Sequence, residues 1–520
     1  MLLRYLPVLV PLALVLGAVP GFARPGARPG AVPRVAALAA VTAFGLAAAA
    51  MALLVTHGPA TVPLLGWRGF GLSFRLDAVS AAMAMLVTFT GWVVARYAAG
   101  YLDGEPRQGV FVGWLGLTLA AVVMLVLAGN LAQLVAAWVA TSLCLHRLLL
   151  FYPRRIGAQR AARKKFVTAR AGDIALTGAA MLLALQYGTG DIARIAVLAR
   201  ADAGGATLSV AAAGLLAVAA LLKSAQFPTH GWLTEVMETP TPVSALLHAG
   251  IINAGGFLLI RFADVMLLAP GALAALAMIG GFTALFGSLV MLTQPAVKTS
   301  LAWSTVAQMG FMIFECGLAL FPLALLHIVA HSLYKAHSFL ASGGAVERIA
   351  ATRRPGAVAT PDTRAVGRAF AAALAIYAVI GVTLGLHHAS PQAAALGAIL
   401  IFGVAYLLAQ GFADAAPAAL ARRTATYAVA ASISYFVLQR LAIRLTAGVL
   451  PAAPVPGALQ WAMLVLALLS FGLVAVAQAM LPLWADHPAA AGLRVHLANG
   501  FYANAVFDRL LGGWSVRPSA

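Results

Sequence analysis

Apolar segments of about 20 residues recur along this sequence from one end to the other. A helix of that length crosses the hydrocarbon core of a bilayer, which is about 30 Å thick. The pattern therefore predicts an all-α, polytopic membrane protein of about 15 transmembrane helices. The predicted spans are 5–22, 35–56, 77–97, 110–128, 130–151, 171–187, 207–227, 240–262, 270–292, 299–320, 322–343, 369–387, 391–411, 424–446 and 457–482.

Composition excludes a soluble globular protein. Hydrophobic residues make up 62% of the chain and charged residues only 9%, whereas about a quarter of the residues in an average soluble domain are charged. The two cysteines, Cys144 and Cys316, both lie in apolar segments and form no disulfide or metal-binding pattern.

The net charge of +19 could indicate a nucleic acid or another anionic partner, but its distribution favours membrane topology. The arginines cluster in short connections that follow predicted spans 1, 5 and 11. With the N-terminus outside, all three connections fall on the inside, where positive residues concentrate in membrane proteins. The clusters are Arg24, Arg28 and Arg34; Arg154, Arg155, Arg160 and Arg163 with Lys164 and Lys165; and Arg348, Arg353, Arg354, Arg364 and Arg368.

Four regions are predicted from this pattern. They are an N-terminal membrane core (1–345), a basic cytoplasmic loop (346–368), C-terminal transmembrane helices (369–482) and an amphipathic tail (483–520). The start of the chain imitates a signal peptide, but we expect it to be retained as the first span. The tail mixes apolar residues with arginines, so it could lie on the membrane surface or dock on a partner.

Lysine is rare in this chain, and its positions are informative. Of the 34 basic Lys and Arg residues only five are lysine, and Lys223 and Lys335 lie in or next to predicted spans. Burial favours the neutral form of lysine, whereas arginine stays protonated. A proton path needs groups that change charge, and ionisable residues inside a membrane are candidates for function.

The segment LLKSAQFPTHGWLTEVMETPTPVSALLHAG (221–250) places Lys223 before Pro228 and His248 inside the next apolar run. Proline within a span breaks the helical hydrogen bonds, as in the discontinuous helices that line ion sites. Two alternatives remain open from the sequence. Lys223 could extend to the surface from a helix end, and His248 could be a core histidine bonded to a neighbouring backbone group.

A second group of titratable residues lies in LLHIVAHSLYKAHSFL (325–340). His327, His331 and Lys335 are spaced by four residues, so they share one face of a helix and can relay a proton. A zinc site at the two histidines is disfavoured, because the sequence has no HExxH motif and no carboxylate or thiol near them.

Asp173 enters the sixth span three residues after Arg170. It is either an ion-pair partner at a helix end or part of an ion path. The sequence has no Gly-rich nucleotide motif, no haem attachment motif and no cysteine quartet. We therefore expect no cofactor and no metal, and a chain that transports rather than transforms its substrate.

The segment KSAQFPTHGWLTEVMETPTPVSALLHAG (223–250) closely resembles the signature of antiporter-like membrane subunits. These are the L subunit of respiratory complex I and the large subunits of monovalent cation/proton antiporters. The resemblance runs from about 77 to 344 and includes AGNLAQLVAAWVATSLC (128–144), KKFVTARAGD (164–173) and HIVAHSLYKAHSFL (327–340). It implies an antiporter-like fold with discontinuous helices.

In that family the matching lysine and histidine form a proton half-channel, so the resemblance implies that role for Lys223 and His248. The helix with His327, His331 and Lys335 would supply the central relay. The sequence departs from the family at Val139, which stands where a glutamate usually follows the tryptophan. It also has no lysine after Lys335 and a short tail.

These departures resemble most the membrane subunits of the two-component inorganic carbon pumps of bacteria. That resemblance implies a multi-pass protein of the bacterial cytoplasmic (inner) membrane, paired with a zinc-dependent protein similar to β-carbonic anhydrases on the cytoplasmic side. Flow of H⁺, or of Na⁺, through this chain would drive CO₂ hydration by the partner, so that bicarbonate accumulates. The membrane potential supplies about 2.3 kcal/mol per charge per 100 mV.

Two other functions stay open from the sequence. One is a proton-pumping subunit of a complex I-type or hydrogenase complex, and the other is a subunit of a sodium/proton antiporter.

Overall fold

A computed structural model describes residues 5–67, 69–202, 204–344, 361–384, 389–412, 417–484 and 487–510. Most of the predicted basic loop 346–368 lies outside these residues, as does the end of the tail, 511–520.

Helices occupy all fifteen intervals predicted as spans. The first group is α1 Leu6–Ala23, α2 Val32–His57, α3 Ala78–Tyr101, α4 Gln108–Val126, α5 Leu131–Leu149, α6 Ile156–Tyr187, α7 Ile192–Ala201 and α8 Thr207–Lys223. The central group is α9 Gly231–Thr234, α10 Thr241–Ala249, α11 Ala254–Arg261, α12 Ala263–Leu267, α13 Pro270–Met291, α14 Val297–Gly317 and α15 Phe321–Ala341. The C-terminal group is α16 Thr363–Thr383, α17 Pro391–Gly411, α18 Ala418–Thr446, α19 Ala458–Ala479, α20 Leu481–Trp484, α21 Ala491–Ala498 and α22 Ala503–Leu510.

Twelve of these segments in the described part of the chain are long and apolar enough to cross a membrane, with α10 and α11 forming one of them. The 17-residue α8 is apolar but shorter, and the more polar α14 and α15 also fall outside this set. The predicted class, a polytopic α-helical membrane protein, is confirmed, and the predicted count of about 15 spans is an approximation.

One β-hairpin was not predicted. Strands β1 (Ala60–Trp67) and β2 (Phe70–Leu76) pair antiparallel between α2 and α3, with Ala60 opposite Leu76. The hairpin packs at the end of the bundle where α4 passes into α5, because the Gly129 amide donates to the Ser73 carbonyl at 2.8 Å.

The connections at the other end of the bundle contact one another. Arg28, after α1, lies 3.4 Å from Asp103, after α3, and Arg107 donates to the Phe151 carbonyl after α5 at 3.0 Å. The basic connections after α1 and α5 therefore share one end of the bundle. The positive-inside rule predicts that this is the cytoplasmic end and that the hairpin lies at the outer end, and we name the two ends accordingly.

A buried ion-pair network fixes the outer end. Asp77 caps α3 by accepting from the Ser80 amide at 2.9 Å, and its Oδ2 lies 2.6 Å from both Arg75 and Arg261. Arg261 is the last residue of α11. Since the Asp77 and Arg261 side chains are 1% and 2% exposed, this pairing ties the most buried span to α3 in a place that water does not reach.

Two helices in the centre of the bundle are interrupted. Helix α8 ends at Lys223 and the chain is irregular through Pro228 until α9 begins at Gly231. Helix α10 ends before Gly250, and a 3₁₀ turn at Ile251–Asn253 precedes α11. The Ser224 hydroxyl donates to the Ile252 carbonyl at 3.1 Å, so the two breaks contact each other. These are the discontinuous helices that the sequence predicts.

Candidate ion-translocation site

Lys223 ends α8 inside the protein. Its side chain is buried, and its Nζ lies 4.3 Å from the centre of the Trp138 ring. Among the described residues this Nζ has no hydrogen-bond partner. A lysine that extends to the surface would expose its ammonium group, so the geometry does not fit that alternative.

A small cavity separates Lys223 from a second lysine. It has a volume of about 20 Å³ and is lined by Trp138, Lys165, Lys223 and Trp232, among others. Lys165 Nζ donates to the carbonyl and the hydroxyl of Ser142, each at 2.8 Å, whereas Trp232 Nε1 has no partner in the described part of the chain. The volume suits one water molecule, which could accept from these unpaired donors.

Asp173 lies on α6 with its carboxylate 2.6 Å from Arg170, three residues earlier. This ion pair is one of the two roles that the sequence left open for Asp173. Asp173 is also buried and within electrostatic reach of Lys223. Val139, in contrast, is half-buried and cannot pair with a lysine, so among the described residues Asp173 is the carboxylate that acts on Lys223.

His248 lies on α10 and is completely buried. Its ring stacks on Phe339 with centroids 4.4 Å apart, and its Nδ1 is 3.0 Å from the Thr305 hydroxyl. That hydroxyl donates its hydrogen to the Leu301 carbonyl at 3.0 Å, so it accepts from His248 Nδ1–H. His248 Nε2 then carries no hydrogen in the neutral ring and has no partner among the described residues.

The three residues predicted to share one face do so on α15. The rings of His327 and His331 have centroids 6.0 Å apart. His331 Nε2 lies 3.2 Å from the His248 carbonyl, which brings this helix to the break in α10. Lys335 Nζ donates to the Leu301 carbonyl at 3.1 Å. The same carbonyl accepts from Thr305, the hydrogen-bond partner of His248.

A further contact joins α15 to the same break. Asn253 donates to the Ser332 hydroxyl at 2.9 Å. Lys335 and His331 are both buried, so the predicted residues of α10 and α15 form one buried polar cluster. Pro228 lies in the break after α8 and is separate from this cluster.

Sequence reasoning missed several residues of this region. The most important is Glu315, a buried residue of α14 whose Oε2 lies 2.9 Å from His327 Nδ1. The expectation that no carboxylate lies near the two histidines is therefore wrong. The signal was available as the acidic residue in the apolar stretch MIFECGLAL. No group of three or more His, Cys, Asp or Glu that could hold a metal exists within the described ranges.

His230 was also missed. It follows the break after α8, is completely buried, and lies against Phe227, Phe286 and Trp303. Neither ring nitrogen of His230 has a hydrogen-bond partner among the described residues.

The chain is similar in sequence and fold to known membrane proteins. Residues 128–360 match the family model "NADH:quinone oxidoreductase/Mrp antiporter, TM", and residues 69–112 match the N-terminal model of complex I chain 5. The chain is 48% identical over 285 residues to the "Probable inorganic carbon transporter subunit DabB" of Hydrogenovibrio crunogenus, covering 55% of each chain. It is 34% identical over 325 residues to NADH-quinone oxidoreductase subunit L of Escherichia coli, covering 60% of this chain and 53% of that subunit.

These alignments span about half the length of the curated relatives. Among solved structures, the Mrp complex of Dietzia sp. superposes on 98% of this chain and 59% of its own chain, with a TM-score of 0.64 and 23% identity. That likeness shows a shared fold. Residues 69–112 and 128–360 are therefore similar to the antiporter-like membrane subunits that complex I and Mrp antiporters share.

Proposed function

We propose that this chain is the cation-translocating subunit of an energy-coupled inorganic carbon transporter. The observation that carries the proposal is Lys223, a lysine buried beside a helix break with its Nζ unpaired within the described structure. A buried charge without a partner is costly, and such residues in membranes mark ion pathways.

The proposed path uses groups that can take up and release a proton. At one end, water in the small cavity connects Lys165 and Lys223. At the other end, the path continues through the unprotonated His248 Nε2 to the cluster of His331 and Lys335. The contact between the two helix breaks supports a coupling of these halves, because a shift of one break moves the other. The transported ion is H⁺, with Na⁺ as the alternative.

We propose that the partner is a soluble protein on the cytoplasmic side, of the DabA type and similar to zinc-dependent β-carbonic anhydrases. CO₂ hydration then belongs to the partner, and this chain is a transporter subunit without a metal. The relatives named as DabB are described as subunits of inorganic carbon transporters. We place the complex in the bacterial cytoplasmic membrane.

The cytoplasmic end of the bundle supports such a partner. The tail helices α21 and α22 pack on it: Lys164 contacts Asn504 and Asp508, and Gln294 donates to the Ala498 carbonyl at 3.1 Å. The outward side of the tail exposes apolar residues within a basic surface. These are Leu493, Val495, Phe501, Tyr502 and Val506. One side of the tail covers the end of the bundle, so the opposite side remains exposed. Because that exposed side is basic and partly apolar, it suits a partner protein with an acidic, partly apolar surface.

Gentle purification of the tagged chain tests this proposal. We expect a stoichiometric zinc protein of the carbonic anhydrase type, identified by mass spectrometry and zinc content. Quinone-reductase or hydrogenase subunits would instead show the complex I-type alternative, and a set of small antiporter subunits would show the sodium/proton antiporter that the Mrp-like fold favours.

A growth assay tests the role of Lys223. We expect Lys223→Ala to abolish growth that depends on inorganic carbon uptake at ambient CO₂, while the protein remains in the membrane. Leu222→Ala, the adjacent residue of α8 that lines the same small cavity, is the matched control and should retain growth. Normal growth of Lys223→Ala would remove Lys223 from the path.

A further inference from the structure

A large cavity lies on the side of α15 away from the helix breaks. Its volume is about 600 Å³, and it is lined by α13, α14 and α15 together with the C-terminal helices α17, α18 and α19. It reaches from Glu315, two residues before the outer end of α14, to Ser288 and Gln478 near the cytoplasmic ends of α13 and α19. Polar side chains therefore occur along its whole length, although most of its wall is apolar.

Two of the predicted relay residues line this cavity, together with Glu315. The Glu315 carboxylate can only accept, so at 2.9 Å it accepts from His327 Nδ1–H. The other ring nitrogen, His327 Nε2, then carries a lone pair and has no partner within the described residues. The hydroxyl of Tyr435, on α18, is likewise buried without a partner there and lines the same space.

His331 is oriented in the complementary way. Its Nε2 lies 3.2 Å from the His248 carbonyl, which can only accept, so Nε2 carries the hydrogen. His331 Nδ1 is then the atom that can receive a proton. With the two rings 6.0 Å apart, a proton can pass between His331 Nδ1 and His327 Nε2 through one water.

We infer that Glu315 positions His327 for proton exchange with water in this cavity, which serves as the cytoplasmic vestibule of the relay. The inference rests on the proposed function. A proton on His331 Nδ1 passes through water to His327 Nε2, and the adjacent carboxylate stabilises the imidazolium that forms. His327 Nε2 then releases the proton to water in the cavity as hydronium, and His327 returns to its neutral form with Nδ1–H still bonded to Glu315. This arrangement follows the logic of a carboxylate that orients a catalytic histidine.

The occupant of the cavity is tested by cysteine labelling in the complete complex. On a Cys144→Ser, Cys316→Ala background, Ala330→Cys places a thiol on the cavity wall of α15. The control, Met278→Cys, lies on the exposed surface of α13. Only a thiolate reacts, and it forms in water. We expect a charged, membrane-impermeant methanethiosulfonate, added from the cytoplasmic side, to modify Ala330→Cys at least tenfold faster than the control. Equal rates, or reaction only with an uncharged permeant maleimide, would mean that the cavity is dry or filled by lipid and would overturn the inference.

The role of Glu315 is tested by the pH profile of cation-driven bicarbonate accumulation. Glu315→Gln keeps the acceptor for His327 but removes the charge that stabilises its imidazolium. We expect transport to fall at least about tenfold near neutral pH and to recover as the external pH is lowered, since a larger inward proton gradient offsets the weaker acceptance of protons at His327. Glu315→Asp should restore part of the activity. Asp202→Asn, which removes one negative charge at the outer end, is the control.

The outcomes separate this inference from the proposed function. A uniform loss at every pH would indicate a purely structural role for Glu315, and an unchanged profile would indicate none. Both results overturn the inference while Lys223→Ala still abolishes transport. If Lys223→Ala also has no effect, the proposed function itself is wrong.

Discussion

Replacing Lys223 by methionine should separate stability from function. Methionine has a similar length and no charge, so it can fill the same space against Trp138 and the small cavity wall. We expect Lys223→Met to abolish ion translocation and, at the same time, to make the protein more stable than the wild type. An ordinary core substitution would do the opposite, because most changes at buried positions destabilise.

The magnitude follows from the surroundings of the ammonium group. Its burial with no hydrogen-bond partner among the described residues carries a desolvation penalty of several kcal/mol, of which one water in the small cavity offsets only a part. Contact of the ammonium with the Trp138 ring offsets about 2 kcal/mol of that penalty, and Asp173, already paired with Arg170, offsets only part of the rest. Removing the charge should therefore stabilise the protein by about 1–4 kcal/mol.

The assay is thermal unfolding of the purified protein in lipid nanodiscs, combined with a transport measurement on the same variants. A gain of this size raises Tm by a few degrees. Leu222→Met, which lines the same cavity without a change in charge, is the matched control. If Lys223→Met melts several degrees below that control, Lys223 has a favourable partner and the reasoning about an unpaired charge fails.

Three further predictions concern stability, gating and the tail. Asp77→Ala leaves the Arg75 and Arg261 guanidinium groups without their shared carboxylate, so we expect a loss of about 3–5 kcal/mol in thermal unfolding; an unchanged Tm would contradict this. Val139→Glu adds a carboxylate near Lys223, the buried lysine of α8. This carboxylate should keep Lys223 protonated and slow transport, and faster transport would refute the idea that valine is present because Lys223 must release its proton easily. Asp508→Ala removes an acidic contact of the tail, so limited proteolysis should cleave α21 and α22 sooner than in the wild type, whereas the same digestion pattern would show that the tail is held by other contacts.

The membrane helices could be predicted because their signal is local. A run of about 20 apolar residues identifies a span without knowledge of its neighbours, and Pro228 indicates a break within the chain that carries it. The hairpin of β1 and β2 gave no such signal. Its strands are short, interrupted by Pro63 and Gly66, and are held by contacts with the α4–α5 connection, which the sequence does not place beside them.

The residues of the candidate site also fall into those that could be predicted from the sequence and those that could not. Lys223, His248 and the three residues of α15 were identified from motifs and from the four-residue spacing. Their partners come from other helices: Glu315 from α14 and Thr305 from the same helix. A single sequence does not show how far each helix is rotated about its axis, or shifted along it, relative to the neighbouring helix. For that reason the pairing of His327 with a carboxylate could not be predicted, although the acidic residue itself was visible.

The partners of Lys164 determine when its side chain can become paired during synthesis of the chain. Its side chain is fully buried at the cytoplasmic end of α6, where it contacts Glu235, Asn504 and Asp508. Two of these partners are translated about 340 residues later, after every predicted span has entered the membrane. Until then the ammonium group lacks most of its partners and the end of α6 stays open to water. We therefore expect the tail to dock last, and a chain that stops short of Asp508 to be degraded faster than the full chain.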